Sequence, residues 1–248
     1  MHLYQTHPRE QQAHLKNACE DFVRFKDGLD AVGKNQAFAS PLERLARKFS
    51  CLLPGNGEAW TATLPDAYCR HALPFSRPND GNSRAMIPQE VDPRLVIGGT
   101  FRNYTATASG GDVDPNAVIA HSNELVDRNA RNDPELPRLA QIGDLPLYVA
   151  EEGKNRVELF KRYRATMKAM VSKTTYPPPG DLQLVRIKPY GIYALKHGTS
   201  IEILPFPAYT VPMLEAYGVK VGEAFGGISA ISRFCKRRKH LCSQQMAR

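Results

Sequence analysis

The chain has 248 residues and a mass of 27.6 kDa, of which 42% are apolar and 23% charged, enough for one large domain or two small ones and too apolar for wholesale disorder. The longest uncharged apolar stretch, Ile203–Leu214, has 12 residues and three prolines, far short of the about 20 needed to span a bilayer. The N-terminus has no apolar core that would serve as a secretion signal, and five scattered cysteines point to a reducing, cytoplasmic setting.

Thirty-three Lys and Arg against 25 Asp and Glu give a net charge of +8. Residues 226–248 contribute Arg233, Lys236, Arg237, Arg238, Lys239 and Arg248 and no acid, so six of those charges sit in one segment. Localised basic charge fits a polyanion such as nucleic acid or a nucleotide phosphate, and it also fits a solvated face.

In chain order, Leu15, Ala18/Cys19, Phe22, Phe25, Leu29 and Val32 recur at a spacing near 3.6 and predict a helix after Pro8. Ser40, Pro41 and Glu43 form a capping box for a second helix that ends at Pro54-Gly55. Between 55 and 86 the repeated Pro, Asn and Gly read as a loop or linker. A short strand is expected at Arg94–Ile97, then a Gly-rich loop, then a helix capped by Asp114 and Pro115. Pro137 closes that region, and Leu145–Ala150 has the length and flanks of a strand. A turn at Glu151-Glu152-Gly153 leads into a long helix, roughly 154–171, with an apolar stripe of Val157, Phe160, Tyr163, Met167 and Met170/Val171. Pro-rich residues 174–180 break the chain, and 182–187, 192–195 and 201–204 read as short strands. A final basic helix is expected after Gly226-Gly227, with Ile228, Ile231, Phe234 and Leu241 on its apolar side.

Two motifs weigh little. Gly28 to Asn35 spells most of a phosphate-binding Walker A loop, but a helix precedes it and Asn35 stands where a hydroxyl should hold magnesium; a glycine ending a helix explains Gly33 equally. Cys235, His240 and Cys242 are close in sequence but supply no paired Cys-x-x-Cys and no fourth ligand. The segment 145–171 carries more. A strand enters a tight turn holding Gly153, and a helix starts at once with Lys154, Asn155 and Arg156. The first turn of a helix offers N–H groups and the positive end of the macrodipole, while Arg can clamp phosphate. Lys154, Lys161, Arg164 and Lys168 would then share the face opposite the apolar stripe, a basic face for a polyanion or for solvent.

The Pro-apolar-x-Val strand, the Gly-x-x-Arg opening of a helix and the preceding helix 118–139 resemble the ParB/sulfiredoxin fold. Met86-Ile87-Pro88 resembles its opening strand, and 182–187 the strand after the motif, so the likeness covers roughly 85–190. Gly153-Lys154-Asn155-Arg156 lacks the reactive cysteine of sulfiredoxins, and no helix-turn-helix follows as in partition proteins. The sequence resembles instead the plasmid fertility-inhibition proteins of the Osa/FiwA type.

That resemblance implies an α+β protein with a ParB/sulfiredoxin-like core: an N-terminal helical region and linker at 1–84, the core domain at 85–205 and a C-terminal extension with a basic helix at 206–248. It implies a cytoplasmic factor that blocks conjugative, type IV secretion-dependent DNA transfer, with ATPase and DNA nuclease activity. ATP would sit at Gly153, Lys154, Asn155 and Arg156, with Mg2+ as its companion ion. Glu151, Glu152 and Glu158 are the nearest candidate carboxylates for catalysis, although acids near a helix start also complement its dipole. DNA would meet Lys161, Arg164, Lys168, Arg233, Lys236, Arg237, Arg238 and Lys239. DNA, a secretion coupling protein or the transferred nucleoprotein are the implied partners, without membrane insertion. The alternative is a non-catalytic module that binds DNA or a secretion subunit.

Overall fold

The computed structural model describes residues 8–34, 64–77, 85–98, 114–128, 136–187 and 191–224. The described residues form an α+β structure of five helices and two mixed sheets, divided into two compact units that meet in sequence between Tyr176 and Pro177. That division falls inside the segment 85–205. Among the described residues no helix is long and apolar enough to cross a membrane.

The first unit opens with α1, Pro8–Lys34, which runs unbroken through Gly28, so the Walker-like residues up to Lys34 are helix rather than loop. The predicted second helix from Ser40 lies outside the described residues. Within the segment read as a linker stands α2, Pro65–Ala72, a correction of that reading. Pro65 starts it, Asp66 and Arg70 pair one turn apart, and Ala67, Tyr68, Cys69 and Ala72 are buried. Its eight residues are too few to show a period against the Pro, Asn and Gly around them. Tyr68 meets Phe22 of α1 with ring centroids 5.3 Å apart.

Strand β1 is Ile87–Val91, and the next strand, β2, is only Val96–Ile97. Pro93–Leu95 forms a 3-10 turn instead of the start of a strand, because Asp92 accepts a hydrogen bond from the Arg94 amide and Pro93 fixes the turn. Helix α3, Pro115–Asp127, begins as expected, with the Asp114 side chain accepting from the Asn116 amide at 2.9 Å. Pro137 does not close the region: β3, Arg138–Ile142, follows it directly and forms an antiparallel hairpin with β4, Tyr148–Glu152.

Helix α4 is Lys154–Tyr163, and Met167–Thr174 is strand β5. The predicted helix to 171 is therefore overturned, and the strand that follows the Gly-x-x-Arg motif is β5 rather than 182–187. Arg164 adopts a left-handed φ of 50°, and its N–H and that of Ala165 close the helix onto Lys161 and Phe160 carbonyls. Beyond it, Met167, Ala169 and Val171 point to one face of the sheet and Met170, Ser172 and Thr174 to the other. All six are buried, so the run shows little alternation of burial and the two methionines mimic a helical stripe. The sheet order is β1-β5-β3-β4-β2, with β5 parallel to β3 and antiparallel to β1. Val157 and Phe160 of α4 pack with Leu139, Ala150, Met167, Ala169 and Val171 in one core cluster.

The second unit holds β6 Leu182–Ile187, β7 Ile192–His197 and β8 Ser200–Ile203, the three strands read from sequence. Helix α5, Pro207–Tyr217, and strand β9, Lys220–Ala224, complete a sheet of order β8-β7-β6-β9. Neither was expected, since three prolines over 203–214 obscured the helix; Pro207 occupies its first turn. The basic segment from Arg233 to Lys239 and the cluster Cys235, His240 and Cys242 lie outside the described residues.

Candidate functional site

The turn from β4 into α4 is built around Gly153. Its φ is +75°, and a methyl group placed on it would lie 3.1 Å from the Pro137 Cα, so both the backbone and the space require glycine. Gly153 also starts the helix, its carbonyl accepting from the amides of Arg156 at 2.9 Å and Val157 at 3.1 Å. The helix therefore winds tightly from its first residue, and its positive end lies at Lys154 and Asn155. Lys154 is half-buried and has no ion-pair partner among the described residues.

Arg156, the residue named to clamp phosphate, is not presented to solvent. It is only 6% exposed, on the inward side of α4 with Val157, Leu159 and Phe160, rather than outside the buried face. The reason is helical spacing: Arg156 stands four residues before Phe160 and next to Val157, on the side that packs.

The candidate catalytic acids fall on two elements. Glu151 is half-buried on β4, Glu152 is exposed at the end of that strand, and Glu158 is half-buried one turn into α4. Among the described residues no three His, Cys, Asp or Glu side chains gather as a metal-holding group, these three included.

The expected basic face is divided. Lys161 pairs with Asp27 of α1 at 2.6 Å, and Lys168, on β5, pairs with both Asp127 carboxylate oxygens at 2.8 Å. Arg164 is exposed beyond the helix. It lines a cleft of about 720 Å³ with Glu20, Glu90, Asp92, Arg94 and Lys161. Two hydrogen bonds from the Arg94 guanidinium, helped by Lys16 and opposed by burial, hold the Asp92 carboxyl well below the usual carboxylate range.

Sequence reading missed the part played by α1. Lys26 is wholly buried; its ammonium pairs with Asp30 and donates to the Gly98 carbonyl at 2.5 Å. Burial pushes the Lys26 ammonium down from the ordinary lysine value, against the opposing pull of Asp30. Gly98 in turn lies under the first turn of α4, where a methyl group on it would meet Val157 Cγ1 at 3.2 Å. The available signal was a lysine inside the stripe Phe22, Phe25, Leu29, where a solvated residue is not expected.

Comparison with protein-family models, with curated proteins and with solved structures finds no match to this chain.

Proposed function

We propose that the β4–Gly153–α4 turn binds the phosphates of a nucleotide, in a ParB/sulfiredoxin-like protein of the fertility-inhibition type. The observation that carries the reading is the left-handed glycine at the head of a ten-residue helix whose first side chain is Lys154. Anion binding at such a turn uses amide N–H groups, the helix dipole and a nearby cation together. Lys154 supplies the outer charge, and Arg156, two residues on and buried, is the second cation of the helix's first turn. The wider role follows the resemblance: a factor that meets conjugating DNA, hydrolyses ATP with Mg2+ and cuts DNA, with Glu151, Glu152 or Glu158 as its acids.

Calorimetric titration of the full chain with MgATP tests the site. Lys154→Ala should weaken binding by about 1.5–3 kcal/mol, the scale of a charge-assisted hydrogen bond. It should leave the fold intact, because Lys154 lies outside the buried side of α4. Arg156→Ala should also weaken binding, but it empties a buried position, so its effect is read only against a matched stability measurement. Wild-type affinity in Lys154→Ala would place the nucleotide elsewhere.

A non-catalytic module that grips a secretion subunit is the second reading, and the cleft of about 720 Å³ favours it. Its lining holds three acids, Glu20, Glu90 and Asp92, and three cations, Arg94, Lys161 and Arg164, which suits a peptide of mixed charge better than a uniform polyanion. ATP turnover and duplex cleavage by purified protein separate the two, since only the first predicts either.

A further inference from the structure

Helix α1 reaches the candidate turn through two consecutive residues. Lys26 donates to the carbonyl of Gly98, the residue on which the first turn of α4 rests. Asp27, next in sequence, holds Lys161 two turns further along α4 at 2.6 Å. The two contacts fix α4 near both ends from a single turn of α1. The buried Lys26–Asp30 pair lies within α1 and is costly to keep there, since apolar residues of similar volume are often neutral or stabilising in place of such a pair. What the pair supplies here is direction: a charged donor aimed at one backbone carbonyl, which no apolar side chain reproduces.

We infer that Lys26 is a positioning residue for the β4–α4 turn, holding the Gly98 backbone so that the first turn of α4 keeps the geometry that receives an anion. For the nucleotide this rests on the reading above, whereas the mechanical part stands on the Lys26–Gly98–Val157 contacts alone. Asp30 neutralises the ammonium and keeps it buried, and Asp27 and Lys161 are the other charged groups facing it. Glycine at 98 is part of the device, since a side chain there would push on Val157.

The test uses the full chain and two readouts: amide hydrogen exchange at Arg156 and Val157, and calorimetric affinity for MgATP. Lys26→Met/Asp30→Leu removes both charges together and leaves no orphaned ion, so its fold should persist while the tie to Gly98 is lost. Exchange at Arg156 and Val157 should accelerate, and MgATP binding should weaken about tenfold, the scale of one misplaced anion contact. Lys173→Gln, which removes a cation from an exposed pair with Asp144 in the same unit, should match the wild type in both readouts. A folded double variant with wild-type exchange at those amides would overturn the positioning role. If the double variant does not fold, Gly98→Ala decides, and unchanged exchange there would overturn it equally. Wild-type protein that fails to bind MgATP, while the double variant still accelerates exchange, would remove the nucleotide reading and keep the positioning role.

Discussion

Asp92 shows how one residue makes stability depend on pH. Arg94, across a local turn, lowers its carboxyl below the ordinary value of about 3.9, so the ionised form is favoured by folding. A depressed carboxyl stabilises fully above the unfolded value, and that contribution is lost as pH falls through the folded one. Asp92→Asn should therefore cost stability at neutral pH and cost progressively less from pH 4 downward, read from urea midpoints across that range. The buried thiols of Cys19 and Cys69 titrate the other way. Burial pushes both up to about 12, so neither forms thiolate at neutral pH. Alkylation followed by peptide mass mapping should leave both unlabelled in native protein and label both in urea. At Gly153, replacement by alanine forces a left-handed conformation on a residue with a side chain. It should cost at least about 1–2 kcal/mol in urea denaturation, before the contact with Pro137 is counted.

At the scale of elements, what was legible followed from how each segment is buried. Helix α1 and strands β6 and β7 each show a clear period or sharp flanking turns, and all three were readable. Strand β5 was not: its buried residues lie on both faces, and nothing in Met167–Thr174 alternates strongly enough to separate a strand from a helix. The candidate turn was legible because Gly, Lys, Asn and Arg follow one another at a strand end. The burial of Arg156 was not, since it depends on what packs against α4. The same holds for α1, where Lys26 acquires meaning only once Gly98 is beside it. Tertiary ties of this kind are testable one at a time. Asn123 of α3 accepts from the Lys168 amide at 2.9 Å and donates to the Thr166 carbonyl at 3.1 Å, joining α3 to the start of β5. Asn123→Ala should cost about 1 kcal/mol at this half-buried position. Asn123→Asp, which keeps the acceptor but sets a carboxylate oxygen against the Thr166 carbonyl, should cost at least as much, with both differences measured as shifts in the urea midpoint.

Charge is the property that belongs to the whole molecule, and the two parts of the chain carry it differently. Among the described residues many cations already face acids: Lys161 with Asp27, Lys168 with Asp127, Lys173 with Asp144 and Arg128 with Glu124. Residues 226–248 hold six cations and no acid, so their charge has no partner within their own segment. If the chain meets DNA as proposed, that segment should supply most of the phosphate contacts, and Lys161 and Lys168 few, because each would first have to leave a carboxylate. Contacts of this kind read no bases, so binding should tolerate any sequence. Log K should fall with log salt by about 0.9 per phosphate neutralised on duplex. Changing Lys236, Arg237, Arg238 and Lys239 together to Gln should then flatten the slope by about 3 units, whereas Lys161→Gln with Lys168→Gln should barely alter it. Affinity for MgATP should survive the four-residue change, since Gly153 to Arg156 lie far from it in sequence. Fluorescence anisotropy with a labelled duplex across a salt series reads both slopes. A slope that stays steep without the four tail cations would move the DNA surface away from the C-terminal segment.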